Sequence, residues 1–360
     1  MPPKLNKRKR TSPAPQPVVH DPPAEEPIVF KSPGLVPDVR LRVFDTEFHV
    51  HSIILKLHSN YFRRFLDSAD KPERPQDAPF RYEYITVIDD DGSWALEWSD
   101  TGCQPKFESD PSESSDEVLW CLAVSNMEVQ CFTHLLCAFY SQPYYLDTPD
   151  ELRITARLAD FYCALPVLSA TLTAAFMKGK LFGENGLIFM QESRDLIKLA
   201  KKLRNPALFR ECFVHQVGQY ERDSHIKDRE IKKLIVREYN KTCDRIMRTQ
   251  TKLILPISTN LIDIKRDMAE FLRCNVDPTR SPRLFRTLKW QVDSSSMIYE
   301  GPASYQLLRE LSDALCQLMV NNLRLDRSGF GLGKSGEDDY FLCAQINDDE
   351  MPWDSTETDW

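Results

Sequence analysis

The stretch Glu47–Leu66, EFHVHSIILKLHSNYFRRFL, changes its hydrophobic period part-way along. In EFHV apolar and polar residues alternate, which is the pattern of a strand with one buried face. After Ser52 the apolar residues recur at three- and four-residue spacing, which predicts a helix that follows the strand at once. The apolar positions of this helix are Ile54, Leu55, Leu57, Tyr61, Phe62, Phe65 and Leu66. A face this broad predicts a helix that is buried on more than one side.

The chain on either side of this stretch supplies further strands. In DVRLRVF apolar residues alternate with arginines, and a short Asp-Thr turn joins this run to EFHV, so we expect a β-hairpin. YEYITVI, residues 82–88, is predicted to be the next strand, and the alternation of Trp94, Leu96 and Trp98 predicts a short strand that extends the sheet. The residues of the hairpin predicted to point inward are Val39, Leu41, Val43, Phe48 and Val50.

The middle of the chain combines one more predicted strand with helices. VLWCLAV, residues 118–124, is a short apolar run that we interpret as a strand, and residues 126–145 follow with helical spacing. Thr148, Pro149 and Glu151 form a helix-start signature, in which a threonine cap precedes proline and is followed by glutamate at the third position.

The chain is predicted to be helical from about residue 184. A basic helix covers roughly 227–252, where nine Lys and Arg stand against four Asp and Glu. An amphipathic helix covers 304–323, and EDDYFLCAQI, residues 337–346, is predicted to be a strand. The basic helix has two possible interpretations, which are contact with nucleic acid and a solvated surface face. Solvation is favoured, because no sequence signature of a DNA-reading module accompanies the charge.

Charge is distributed unevenly around a net charge of −8. The first ten residues carry five cations, and the run Lys7, Arg8, Lys9 and Arg10 is predicted to be a nuclear import signal, the alternative being a solubilising tail. Residues 89–117 carry ten acids against one lysine, with Ser109, Ser112, Ser114 and Ser115 among them. This acidic insertion is predicted to be a solvated loop, the alternative being a binding segment that phosphorylation switches.

Several classes of function lack support in the sequence. No apolar run approaches the length that spans a bilayer, and the N-terminus has no secretory h-region. The ten cysteines are scattered, which predicts reduced, buried thiols of an intracellular protein. His49 with His51, and Cys131 with His134 and Cys137, lack the further ligands of a metal site. We therefore expect no metal, no cofactor and no enzymatic activity. Membrane association is not expected, and nucleic acid is not an expected partner.

The order of residues in the hairpin and its helix resembles the BTB/POZ domain. That family has an aspartate before the first strand, a histidine after the second, and then leucine, serine and a Tyr-Phe pair at fixed spacing. The matching residues here are Asp38, His51, Leu55, Ser59, Tyr61 and Phe62. EVQCFTHLLCAFYS and ELRITARLADFYCALPVL are similar to later helices of the family. The Pro-rich flank and the acidic insertion resemble BTB/POZ proteins of filamentous fungi.

The resemblance implies an α+β fold, in which helices cluster around a small mixed sheet. Residues 1–34 would be a disordered tail, 35–178 the BTB/POZ domain, 180–325 a helical C-terminal region and 326–360 an acidic tail with a short strand. His51 would bond to the backbone or to Asp38, and Ser59 would bond within its own helix.

The implied function is that of a non-enzymatic interaction adaptor that dimerises or binds a cullin scaffold for ubiquitination. The alternative is a nuclear transcription- or chromatin-associated factor that dimerises through this domain, so the protein is expected in the nucleus, the cytoplasm or both. PIVF, residues 27–30, could supply a strand exchanged between the copies of a dimer. The candidate interaction surface consists of Ile54, Leu57, Phe65, Phe132 and Tyr140, and a cullin would contact the helices around 52–66 and 127–141.

Overall fold

The computed structural model describes residues 26–68, 78–89, 93–98, 115–183, 186–220, 226–254, 282–295, 302–325, 340–357 and 360. Most of the basic N-terminal tail, with the predicted import signal, and most of the acidic insertion lie outside these residues. The predicted α+β class is confirmed, because a small mixed sheet is surrounded by helices and followed by a helical C-terminal region.

The strands in the described residues are β1 (Ile28–Val29), β2 (Val39–Val43), β3 (Thr46–Val50), β4 (Tyr82–Ile88) and β5 (Trp94–Trp98). They form one sheet in the order β1-β3-β2-β4-β5. β2 pairs antiparallel with β3 and β5 with β4, whereas β1 lies parallel to β3 and β4 parallel to β2. The predicted hairpin and the predicted strand at Trp94–Trp98 are therefore confirmed, and all five residues predicted to point inward are buried: Val39, Leu41, Val43, Phe48 and Val50.

The helices of the described residues are α1 (Ser52–His58), α2 (Asn60–Leu66), α3 (Ser115–Phe139), α4 (Pro149–Phe161), α5 (Leu165–Lys178), α6 (Gly186–Lys202), α7 (Pro206–Gly218), α8 (Arg229–Ile254), α9 (Pro282–Ser295) and α10 (Pro302–Leu318). The predicted start of α4 is confirmed: the Thr148 hydroxyl accepts a hydrogen bond from the Glu151 N–H at 3.2 Å, and the Glu151 carboxylate accepts one from the Asp147 N–H at 2.8 Å.

The prediction of a strand at residues 118–124 is wrong, because these residues belong to α3. A short apolar run does not distinguish a strand from a buried helix, and length decides between them. Here the run continues into the helix at residues 126–139 without a glycine or proline, so one helix of 25 residues forms.

Two further predictions are wrong at the ends of the chain. Residues 28–30 do not belong to a disordered tail, because Ile28 and Val29 pair with β3 and Phe30 is buried. Residues 340–346 form no strand, although Phe341, Leu342, Cys343, Ala344 and Ile346 are buried. Their carbonyl groups bond instead to side and main chains of other segments. Asn322 donates to the carbonyls of Leu342 and Ala344, and Arg245 donates to that of Cys343.

The C-terminal helices share the core of the sheet domain. Ile231 and Ile235 of α8 belong to the main hydrophobic cluster, together with residues of the sheet and of α4–α7. Farther along α8, Ile246 belongs to a second cluster, formed mainly by α9, α10 and residues Phe341 and Cys343. The helix α8 therefore joins the two clusters.

The described cysteines are free thiols, but only some fit the expectation of burial. Cys131, Cys212 and Cys343 are buried, whereas Cys163 and Cys316 are exposed. Separately, no helix in the described part of the chain is long and apolar enough to cross a membrane.

Stability should depend on pH through His134 of α3. This side chain is buried and stacks on Tyr144, and burial lowers the pKa of its imidazole from 6.5 to about 4. A His whose pKa is lower in the folded state contributes full stability above its unfolded pKa and loses it as pH falls through the window from 6.5 to about 4. We expect this group to cost about 3 kcal/mol of unfolding free energy between pH 7 and pH 4.

The measurement is urea unfolding of the wild type and of His134→Gln across this pH range. The wild type should lose more unfolding free energy than the variant, since the variant lacks the imidazole while other groups titrate in both. Equal losses in the two proteins would show that His134 does not control the dependence.

Candidate interaction surface and its supporting junction

The chain passes from β3 to α1 through a single residue, His51. Its N–H donates a hydrogen bond to the Tyr140 hydroxyl at 2.8 Å, and its ring Nδ1 lies 2.8 Å from the same oxygen. One phenol hydroxyl therefore serves both the main-chain N–H and the ring Nδ1 of His51. Burial raises the pKa of Tyr140 to about 12, so the phenol keeps its proton.

Asp38 accepts hydrogen bonds from Ser52 at the start of α1, and not from the ring of His51. Its carboxylate accepts hydrogen bonds from the N–H of Ser52 at 2.7 Å and from the Ser52 hydroxyl at 2.5 Å. The prediction that the His51 ring bonds to the backbone or to Asp38 is therefore wrong. A carboxylate at a helix N-terminus satisfies a free N–H group and interacts favourably with the helix dipole, which accounts for the position of Asp38.

Ser59 interrupts what the sequence predicts to be one helix. Its backbone is extended, and its hydroxyl accepts from the N–H of Phe62 at 3.0 Å and donates to the carbonyl of Tyr162 at 2.5 Å. The side chain therefore caps α2 and also fixes α2 to the turn after α4, which corrects the prediction of a bond confined to one helix. The break also changes which residues face inward, because Leu55, Phe62 and Leu66 are buried.

The five residues predicted to form the interaction surface differ in how far they are exposed to solvent. Phe132 is fully buried and contacts the rings of Phe48, Trp94 and Tyr162, so its assignment to an interaction surface is wrong. Ile54, Phe65 and Tyr140 are partly buried against the core, and Leu57 is exposed.

The exposed apolar surface of α1 includes a residue that the sequence did not single out. Ile53 and Leu57, one turn apart, are 61% and 68% exposed. Ile28 and Val29 of β1 are 40% and 41% exposed. Phe30, which follows β1, packs against Tyr140 with the ring centroids 4.9 Å apart, and Tyr140 also bonds to His51, which precedes α1. β1 and α1 therefore both adjoin residues that contact Tyr140. We call Ile28, Val29, Ile53 and Leu57 the α1–β1 patch.

The histidine and cysteine groups considered for metal binding have other surroundings. The His49 ring lies 2.7 Å from the Glu47 carboxylate and packs against the ring of Phe80 at a tilted angle. On α3, burial raises the pKa of the Cys131 thiol to about 12, which disfavours the thiolate that a metal requires. Within the residues that the structure describes, no three His, Cys, Asp or Glu side chains are grouped as a metal site.

The basic helix α8 uses part of its charge internally. Arg245 and Lys241 pair with the buried carboxylate of Glu238, and Arg237 pairs with Glu350 at 2.6 Å. The pair with Glu350 fixes the 340–350 segment to α8, and the three pairs together account for several of the cations of this helix.

The described residues thus combine a small mixed sheet with a hairpin, a strand–helix junction closed by a tyrosine and a helix face with exposed apolar side chains. The family model of the BTB/POZ domain matches residues 29–86, from the end of β1 into β4. The chain therefore carries a BTB/POZ domain, followed by a helical C-terminal region. BTB/POZ domains are interaction and dimerisation modules, not enzymes. No curated protein and no solved structure matches the chain.

Tyr140→Phe should destabilise the fold. It removes the oxygen that pairs with both the N–H and Nδ1 of His51, which is 2% exposed. Buried polar groups left without partners cost about 1–3 kcal/mol. Chemical denaturation of this variant should show a loss of that size.

The matched control is Tyr145→Phe, whose phenol is 53% exposed. We expect it to change the unfolding free energy by less than about 0.5 kcal/mol. If the two variants are equally stable, the junction does not depend on the Tyr140 hydroxyl.

Proposed function

We propose that the protein is a homodimeric interaction adaptor that acts through its BTB/POZ domain. The observation that carries the proposal is the α1–β1 patch, in which two apolar side chains on one helix face are more than half exposed. Large apolar side chains that are exposed together mark association surfaces. Full burial of each such side chain stabilises a complex by about 1.5–3 kcal/mol.

The edge position of β1 supports a second copy as the partner. β1 lies at one end of the strand order, and in this chain it pairs with its own β3. The outer edge of an edge strand offers unpaired N–H and C=O groups to another chain. A second copy would thus meet an apolar helix face and a sheet edge close to the same junction.

Dimerisation predicts a specific effect of Leu57→Glu. Light scattering of the full chain should give a mass twice that of one chain. The variant should give a single-chain mass, because burial of a carboxylate in an apolar interface is unfavourable. We expect the dissociation constant to rise at least about 100-fold, or about 3 kcal/mol.

The control is Met247→Glu on α8, a side chain that is 63% exposed and distant in sequence from the α1–β1 patch. It should leave the mass unchanged. A wild-type protein that remains a single chain at micromolar concentration would be evidence against the dimer.

As the finer role, we propose a substrate adaptor for a cullin-type ubiquitin ligase. The exposed side chains of α1 and α2, Ile53, Leu57, Arg63 and Arg64, are available for such a scaffold, whereas residues 131–139 of α3 are buried or half-buried. When the full chain is mixed with a purified cullin N-terminal region, we expect light scattering to show a larger complex. If the mass of the dimer does not change, the cullin role is excluded.

A nuclear regulatory role is the second candidate, and the basic run Lys7–Arg10 favours it. Both the nuclear role and the adaptor role require a dimer, so a measurement of dimerisation does not distinguish between them. A chain that accumulates in the nucleus through these four residues and forms no cullin complex would support this second role.

A further inference from the structure

A groove lies between α2 and the turn that joins α4 to α5. It has a volume of about 850 Å³ and is open to solvent. Tyr61, Arg64 and Phe65 of α2 line one side, and Asp160 and Cys163 line the other. Apolar ring surface beside a guanidinium is suited to an aromatic side chain carried by an acidic peptide.

The chain itself places a residue of this chemistry in the groove. Trp360 lines the groove and packs against the main core. Its indole ring lies under the guanidinium of Arg204, which is 4.7 Å from the ring centroid. The same guanidinium donates to the Glu357 carboxylate at 2.7 Å and to the Asp354 carbonyl at 3.3 Å. Arg204 thus contacts both the aromatic ring of Trp360 and the acidic side chain of Glu357.

Arg204 occupies a backbone conformation that its residue type disfavours. It follows α6 with a φ of +48°, where a glycine or asparagine is usual. Cys163, on the rim of the groove, also has a positive φ, of +49°. Disfavoured conformations of this kind concentrate at functional sites, where the side chain serves a purpose beyond the turn.

The contacts that Glu357 and Trp360 make with Arg204 are weak enough for a competing peptide to replace them. Glu357 is about half exposed, and ion pairs between exposed groups are weak. The groove keeps open volume beside Trp360, and the buried Nε1 of the indole has no hydrogen-bond partner in the described residues. Trp353, by contrast, packs on Phe209 and anchors the segment farther back, so the residues after it can leave the groove while staying tethered.

We propose that this groove is a docking site for an acidic peptide with a tryptophan anchor, and that Trp360 occupies it in cis as a competing ligand, with Asp354 and Glu357 held by the neighbouring Arg204. The partner is another protein that carries such a peptide. Its access requires that Trp360 be displaced. The proposal adds a ligand site to the interaction module and does not depend on the α1–β1 patch or on dimerisation.

The test measures binding of a fluorescein-labelled peptide of residues 354–360 to the full chain by fluorescence polarisation. The double variant Glu357→Ala/Trp360→Ala, which vacates the groove, should bind at least about tenfold more tightly than the wild type. A cis competitor on a short tether acts at an effective concentration of about millimolar, which weakens binding in trans.

Two controls define the site. A labelled peptide with Trp360→Ala should bind neither protein. Adding Arg204→Gly to the double variant should abolish binding of the intact peptide while preserving the fold, because glycine is favoured at this backbone conformation. Equal affinity of the wild type and the double variant, or binding that survives Arg204→Gly, would overturn the proposal.

A second measurement uses the wild type and covers the case in which the double variant does not fold. A peptide of residues 354–360 that carries a chloroacetyl group should alkylate Cys163, at the rim of the groove, faster than Cys316 of α10, which is also exposed and serves as the internal reference. If the two thiols react with this peptide at equal rates, the groove does not take this ligand. Because neither measurement reads the oligomeric state, failure here would leave the test of dimerisation unaffected.

Discussion

The chain turns from strand to helix at His51 without a loop, and the BTB/POZ domain depends on how that turn is satisfied. β3 ends at Val50 and α1 begins at Ser52, so His51 alone connects them, and it is buried. Tyr140, just beyond the end of α3, reaches the N–H and the ring of His51, while Asp38 before β2 takes the first free groups of α1. Three segments separated in sequence therefore meet at one point. This fixes the hairpin, α1 and the end of α3 relative to one another.

Sequence periodicity predicts the hairpin because every second residue faces one core, and the five inward positions are all buried. Sequence periodicity predicts less well where a polar residue ends one helix and begins another, because the inward-facing positions then shift. Ser59 ends α1 and starts α2, so the residues on the buried face are Leu55, Phe62 and Leu66, and Ile53 and Leu57 face outward. A single helix would have placed the exposed and buried stripes differently. The Ser59 hydroxyl caps α2 locally, and its second hydrogen bond goes to the carbonyl of Tyr162, more than one hundred residues away.

The same limit explains the other residues that the sequence misplaced. Phe132 has the helical spacing of a surface stripe, but a sheet on one side and Tyr162 on the other enclose it. Residues 340–346 have the composition of a strand, but they lie beside α8 and the residues after α10, where Arg245 and Asn322 supply their hydrogen bonds. Periodicity reports which side chains avoid water. It does not report which element covers them, because the partners lie far along the chain.

The chain after residue 340 packs back against the BTB/POZ domain and covers part of its surface beside α2. Glu238, buried on α8, holds Arg245, and Arg245 in turn holds the carbonyl of Cys343. Glu350 and Trp353 then contact α8 and α7, which directs the chain toward Arg204 and α2. The outward face of α1 carries exposed Ile53 and Leu57, whereas Trp360 lines the groove beside α2. Since Ser59 separates these two helices, one short stretch of sequence provides an open apolar face and a groove that already holds an aromatic side chain. The helical C-terminal region thus determines which surface of the domain is available to other proteins.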